Sequence, residues 1–188
     1  MRRLLPVLLL AVIPALQGCF PVVATGVGAG ALMAGDRRTS GTYIEDQGIA
    51  LKASGRIEDK FKYAVHANVT SFNRHVLLTG EAPSEEVRQE VGQMVMGVPN
   101  VIDVTNEIAI GNVSPFSSRS NDTYITSKVK GRMIDANRFA PYHVKVITEN
   151  GVVYLMGLVT RKEAEDAAEI TRTTTDVRKV VKIFEYLD

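Results

Sequence analysis

Val144-Lys145-Val146-Ile147-Thr148-Glu149-Asn150-Gly151-Val152-Val153-Tyr154-Leu155-Met156-Gly157 is the stretch that decides the fold. Two β-rich runs meet at Asn150-Gly151, a pair that accepts positive φ at both central positions, which predicts a two-residue hairpin. The same pattern stands earlier as Ala67-Asn68-Val69-Thr70-Ser71-Phe72-Asn73-Arg74-His75-Val76-Leu77-Leu78-Thr79-Gly80. Gly157 − Gly80, Val153 − Val76 and Val146 − Val69 all equal 77. The chain is a tandem duplication.

The repeat runs outward from the hairpins. Asp46, Ile49, Lys52, Arg56 and Ile57 align with Asp122, Ile125, Lys128, Arg132 and Met133 at an offset of 76, and Val101 and Val104 with Val177 and Val180 at the same offset. Two copies of a unit of roughly 70 residues are large enough for two small cores and too long for solenoid repeats. Before the first hairpin, Ile49, Ala53, Ile57 and Phe61 recur every fourth residue and predict an amphipathic helix with one buried stripe. In this copy the turn carries Asn73-Arg74, so strain or another turn type is expected there.

After the hairpin, Pro83-Ser84-Glu85-Glu86 opens a second helix with acids beside the positive end of its dipole. Val87, Val91, Met94, Val95 and Val98 supply its buried face. The second copy opens the same helix with the capping box Thr160-Arg161-Lys162-Glu163 and buries Ala164, Ala167, Ala168 and Thr171. A last strand follows, Val101 to Ile110 and then Val177 to Leu187. In the first of these, Ile102, Val104, Ile108 and Ile110 alternate as in a one-faced strand. The order is α-β-β-α-β in each copy: an α+β fold with two helices on one face of a three-stranded mixed sheet and a right-handed crossover to the third strand.

The start of the chain is of another kind. Met1-Arg2-Arg3 and the apolar run Leu4 to Leu16 have the shape of a secretory signal, and Pro6 and Pro14 oppose a spanning helix. Leu16-Gln17-Gly18-Cys19 resembles a bacterial lipobox, and Cys19 is the single cysteine, so no internal disulfide is available to it. The expectation is a signal over 1–18, a lipidated Cys19, and a Gly/Ala/Val-rich tether over 19–43. Phe20 after the cysteine, in place of Asp, points to the outer membrane. Gly26-Val27-Gly28-Ala29-Gly30 lacks the strand and the Lys of a phosphate loop, and Arg37-Arg38 reads as two solvated arginines of the tether. The first unit is expected over 44–111, a Ser/Pro/Gly linker over 112–120 and the second unit over 121–188.

The α-β-β-α-β order resembles the BON domain. So do Leu78-Thr79-Gly80 and Leu155-Met156-Gly157 at the end of the second strand, and the Val-Xaa-Xaa-Val entry to the last strand at Val101-Val104 and Val177-Val180. Asn121-Asp122-Thr123-Tyr124-Ile125-Thr126, Thr148-Glu149-Asn150-Gly151 and Leu155-Met156-Gly157-Leu158-Val159-Thr160 add to the likeness. Two such units behind a lipobox are similar to the dual-BON-domain outer-membrane lipoproteins. The resemblance implies a non-enzymatic protein anchored in the inner leaflet of the outer membrane. Its second domain would bind anionic, phosphatidylglycerol-like phospholipid through the first helix. It would support envelope integrity and gather at division sites.

The residues of the two first helices differ in a way that bears on this. In the second copy Ile125, Val129 and Met133 form the core stripe, and Tyr124, Ser127, Gly131 and Ile134 fall on the opposite side. Lys128, Lys130 and Arg132 flank these faces, and no acid occurs from Tyr124 to Ile134. Such a helix suits an anionic bilayer. The first copy has Gly48 for Tyr124 and Glu58-Asp59 from the position of Ile134 on, and is expected not to bind membrane. The competing reading is that Tyr124 and Ile134 are covered by the other domain or the linker. A second function class, an adaptor that docks envelope proteins through a sheet edge or this helix, stays open. With 22 Lys+Arg against 21 Asp+Glu there is no field to steer nucleic acid. His66, His75 and His143 lack metal-ligand spacing, so no metal, cofactor or catalytic residue is expected, and Asp122 reads as a helix N-cap.

Overall fold

Thr39 starts the first helix by accepting a hydrogen bond from the amide of Thr42 on its side-chain oxygen. The computed structural model describes residues 35–112 and 116–188, and Gly35–Asp188 form one compact unit. The signal, Cys19 and most of the tether lie outside the described residues. In the first domain α1 spans Ser40–Phe61 and, after a 3₁₀ turn at Lys62–Ala64, leads to β1 (His66–Phe72) and β2 (His75–Ala82). Then come α2 (Glu85–Met96), β3 (Asp103–Asn106) and β4 (Ala109–Ile110). The second domain consists of α3 (Phe116–Ala136), a 3₁₀ turn at Pro141–His143, β5 (Val144–Glu149), β6 (Val152–Val159), α4 (Arg161–Arg172) and β7 (Lys179–Tyr186).

The first two strands of each domain pair antiparallel, and the last strand pairs parallel with the second. Both helices of a domain lie on one face of its sheet, because the helix stripes and alternate strand residues share one core. Ile49, Ala53, Ile57, Val76, Leu78, Val91 and Val95 belong to the first core, and Ile125, Val129, Met133, Val153, Leu155, Ala164 and Ala167 to the second. This is the α+β arrangement expected. A third apolar cluster joins the opposite sheet faces: Phe72 and Leu77 of the first domain pack with Tyr154 and Met156 of the second. Strand alternation puts the two sets of side chains on opposite faces of each sheet. The molecule is therefore layered helix, sheet, sheet, helix.

The structure bears on five expectations. The Asn73-Arg74 turn keeps the Asn-Gly geometry, with φ of 50° and 68° against 49° and 73° at Asn150-Gly151. Asp46 makes this possible: its carboxylate accepts from the amides of Asn73 and Arg74, both at 2.8 Å. Asp122 is not an N-cap, because α3 begins six residues before it. It accepts from the amides of Asn150 and Gly151 at 2.8 Å and so holds the second hairpin turn. The segment read as linker is thus partly helix.

The last strand of the first domain is interrupted. The Asn106 side chain donates to the Arg88 carbonyl at 2.8 Å and accepts from the Ile108 amide, so Ile108 turns into the core while Ile102 and Ile110 stay exposed. Arg37 and Arg38 are not solvated tether residues. Arg38 is buried against Asp46 at 2.8 Å with Phe72 below its guanidinium, and Arg37 reaches the Leu158 carbonyl at 2.8 Å and Glu163 at 2.6 Å in the second domain.

Candidate functional site

The second domain's first helix is anchored along one side and open along the other. Ile125, Val129 and Met133 are fully buried, and Arg132 ties the helix to the end of α4 through the Ile170 carbonyl and the hydroxyls of Thr173 and Thr174. On the far side Tyr124 and Ile134 are 60% and 61% exposed, with Ser127 exposed between them and open space above Gly131. The two domains meet through their sheets, so neither Tyr124 nor Ile134 is covered by the first domain. The covered-helix reading is thereby set aside.

The flanking cations divide into two sets. Lys128 bonds Asp176 at 3.0 Å and the Thr175 carbonyl, and lies 5.0 Å from the Tyr124 ring centroid. Lys128 and Arg132 therefore serve the domain's own loop after α4. Lys130, on the other flank, is exposed and has no hydrogen bond or ion pair among the described residues. Its charge is felt at Lys145, whose ammonium is pushed below the ordinary lysine range by burial first and by Arg38 and Lys130 after that. Lys130 faces a groove that also reaches β1 of the first domain.

Several features of the surface were not legible in advance. Ile44 and Leu51 of α1 are 66% and 76% exposed, and Gly48 and Gly55 beside them have open space where a side chain would be. The first helix thus also shows apolar groups outward, Tyr43 among them, and the two helices differ in Glu58 and Asp59 rather than in greasiness. The interdomain rim is polar: Glu149 accepts from Asn68 at 2.8 Å and from Thr79, Glu185 from Asn73 at 2.7 Å, and Glu185 lies 3.1 Å from His75. His143 meets Glu163 and the Tyr142 ring, and the buried Nε2 of His66 has no partner. Among the described residues no group of His, Cys, Asp and Glu has metal-holding geometry, and no helix is long and apolar enough to cross a membrane.

Two α-β-β-α-β units joined through their sheets, each with exposed apolar side chains on its first helix, define a two-domain α+β protein. Comparison with known proteins agrees. The BON domain family matches residues 46–112 and 121–188. The chain is 38% identical over 92% of its length to the outer membrane lipoprotein DolP of Haemophilus influenzae, 91% of which is covered. It is 30% identical over 81% of its length to the 21 kDa hemolysin of Actinobacillus pleuropneumoniae, of which 79% is covered. To the osmotically-inducible protein Y of Escherichia coli it is 27% identical over 76% of its length, with 72% of that protein covered. The chain belongs to the BON-domain family, as a dual-domain lipoprotein of the outer membrane.

Proposed function

We propose that this lipoprotein binds anionic phospholipid through the outer face of α3, in addition to an acyl anchor on Cys19, and by doing so supports envelope integrity without catalysing a reaction. The observation that carries this is the exposure of Tyr124 and Ile134 on a helix whose opposite stripe is buried and which has no acid between them. A tyrosine and an isoleucine can enter the head-group boundary while Lys130 meets the anionic surface, as interfacial helices do. The acyl chains supply the durable attachment and the helix supplies selectivity among lipids.

The test uses the full chain with Cys19→Ser, so that no acyl group holds it to the bilayer. It should co-sediment with phosphatidylglycerol vesicles at low salt, and Tyr124→Ala and Ile134→Asp should each weaken this; absence of binding by the unsubstituted chain would refute the proposal. The adaptor reading draws on the exposed Ile44 and Leu51 of α1, an apolar pair on the side away from the sheet. Photo-crosslinking in cells from position 124 separates the two, since protein adducts without lipid adducts would favour the adaptor.

A further inference from the structure

The outer edge of the sheet is built differently in the two copies. In the first domain it is broken: β3 ends at Asn106, whose side chain accepts from the Ile108 amide, and β4 has two residues. In the second domain β7 runs over eight residues, every one of them in register with β6, and among the described residues no strand pairs with its other side. Such an edge presents a row of amides and carbonyls to which a further strand can add, and proteins commonly shorten, bulge or cover it. The first copy is blunted in this way and the second is not.

Beside this edge lies a groove of about 270 Å³ at the seam of the two domains. Phe72, Met156 and Ile183 give it an apolar lining, and His75, Asp103 and Glu185 stand around it. Side chains alternate along β7: Val180 and Phe184 pack with the core under the helices, and Val181 and Ile183 with the cluster between the sheets. Glu185 therefore falls on the seam side and Lys182 on the helix side, while Lys179 stands at the far end of the strand. The Asp103 carboxylate is exposed and has no hydrogen bond or ion pair among the described residues. Glu185 accepts from Asn73 at 2.7 Å and lies 3.1 Å from His75, and a carboxylate has room for a further donor. The groove is thus apolar within and acidic at its mouth.

We propose that the β7 edge takes up an extended polypeptide segment by strand addition, and that the groove reads one basic side chain of that segment. The partner's backbone continues the ladder of the second sheet. The side chains it turns toward the seam are apolar, with one arginine or lysine among them, whose stem lies over Phe72 and Ile183 and whose cation meets Asp103 and Glu185. Main-chain bonds supply the affinity in this mode, and alternate side chains supply the choice of partner. The first domain takes part through Phe72 and Asp103. The lipid contact proposed above uses the outer face of α3 and this one the edge of the sheet, so the two readings stand or fall separately.

The experiment takes the full chain with Cys19→Ser and a fluorescein-labelled peptide, Thr-Val-Thr-Arg-Thr-Val-Thr, whose valines and arginine share one face of a strand. Fluorescence anisotropy should show saturable binding. Replacing the peptide's arginine by glutamate should weaken binding at least about tenfold, and Asp103→Lys should reverse the preference between the two peptides. Asp103 is exposed, so the unfolding midpoint of that variant should stay at the parent value. Of two peptides N-methylated at alternate amides, one should keep binding and the other lose it, because one set of amides faces β7 and the other faces away. As a second measurement, hydrogen exchange at the amides of β7 should slow when the arginine peptide is added. No binding by the arginine peptide would overturn the proposal. Equal binding of the arginine and glutamate peptides would overturn the acidic groove as the reader of the partner. Binding by both N-methylated peptides, or unchanged exchange along β7, would overturn strand addition.

Discussion

At Gly157 the hairpin leaves no room for a side chain. A Cβ there would run into the carbonyl of His143, and one on Gly80 would run into the carbonyl of His66 and sit at a φ of +116°. The two glycines and the two histidines are each 77 residues apart, so both copies bring the second strand equally close to the entry of the first. Gly157→Ala should therefore cost about 2 kcal/mol, which thermal unfolding would read as a fall of about 4–8 °C. An unchanged midpoint would mean that the strands can part without loss. Asp122 carries a different burden. Removing its carboxylate in Asp122→Ala strands the amides of Asn150 and Gly151, at a cost of about 3 kcal/mol for two charge-assisted bonds in a buried turn. Denaturant titration checks this, and Asp122→Asn should recover part of the loss because its amide oxygen can still accept. The glycines were legible because each ends a hydrophobic-Xaa-Gly strand. The aspartates were not, because their partners lie 27 to 29 residues on and an acid near a helix start looks like a cap.

The helices show how far periodicity reaches. The four-residue spacing of Ile49, Ala53 and Ile57 and of Ile125, Val129 and Met133 marks the buried stripes, and all six side chains are buried. Spacing names the inside of an amphipathic helix and leaves its outside to be inferred from what remains. On α3 that inference places Tyr124 and Ile134 in solvent, as the structure does, but it says nothing of Lys128 and Arg132, whose partners follow α4 or lie at its end. On α1 the glycines and acids draw attention away from Ile44 and Leu51. The last strand of the first domain fails for a related reason, because alternation across Ile102 to Ile110 cannot register a side chain such as Asn106 that takes over the ladder. The two outward faces can be told apart by experiment. Ile134→Asp should lower binding to phosphatidylglycerol vesicles at least about tenfold, by loss of a partly inserted side chain and gain of a like charge. Leu51→Asp, on a helix already bearing Glu58 and Asp59, should leave it within about twofold. Equal losses from both would mean that the molecule lies on the membrane through both first helices.

Across the whole molecule, the contact between domains combines an apolar centre at Phe72, Leu77, Tyr154 and Met156 with a strap of chain that crosses from one domain to the other. The strap is Asp36-Arg37-Arg38: Arg38 is fixed to Asp46 in the first domain, and Arg37 to Glu163 and the Leu158 carbonyl in the second. The Arg37 guanidinium, with the Thr160 amide and His143 behind it, brings the Glu163 carboxyl down to about 2 from an ordinary 4.5. A lowered carboxyl stabilises the folded state above pH 4.5, and that contribution is lost as the pH falls toward 2. With the pair partly open to solvent, the effect is about 1 kcal/mol. At the other extreme, burial first and the neighbouring acids Glu107 and Glu149 after it push the Tyr154 hydroxyl up to about 12 from 10. Its neutral form is the one the interface accepts, so its contribution is whole below pH 10 and is lost as the pH rises through 12. Stability should thus fall at both ends for separate reasons. Glu163→Gln should lower stability at pH 7 and flatten the decline between pH 4.5 and 2, and Arg37→Ala should have the same effect. Tyr154→Phe should leave the acid limb alone and flatten the alkaline one. Chemical denaturation across the pH range measures all three, and an acid limb as steep in Glu163→Gln as in the parent would show that the strap does not hold the domains together.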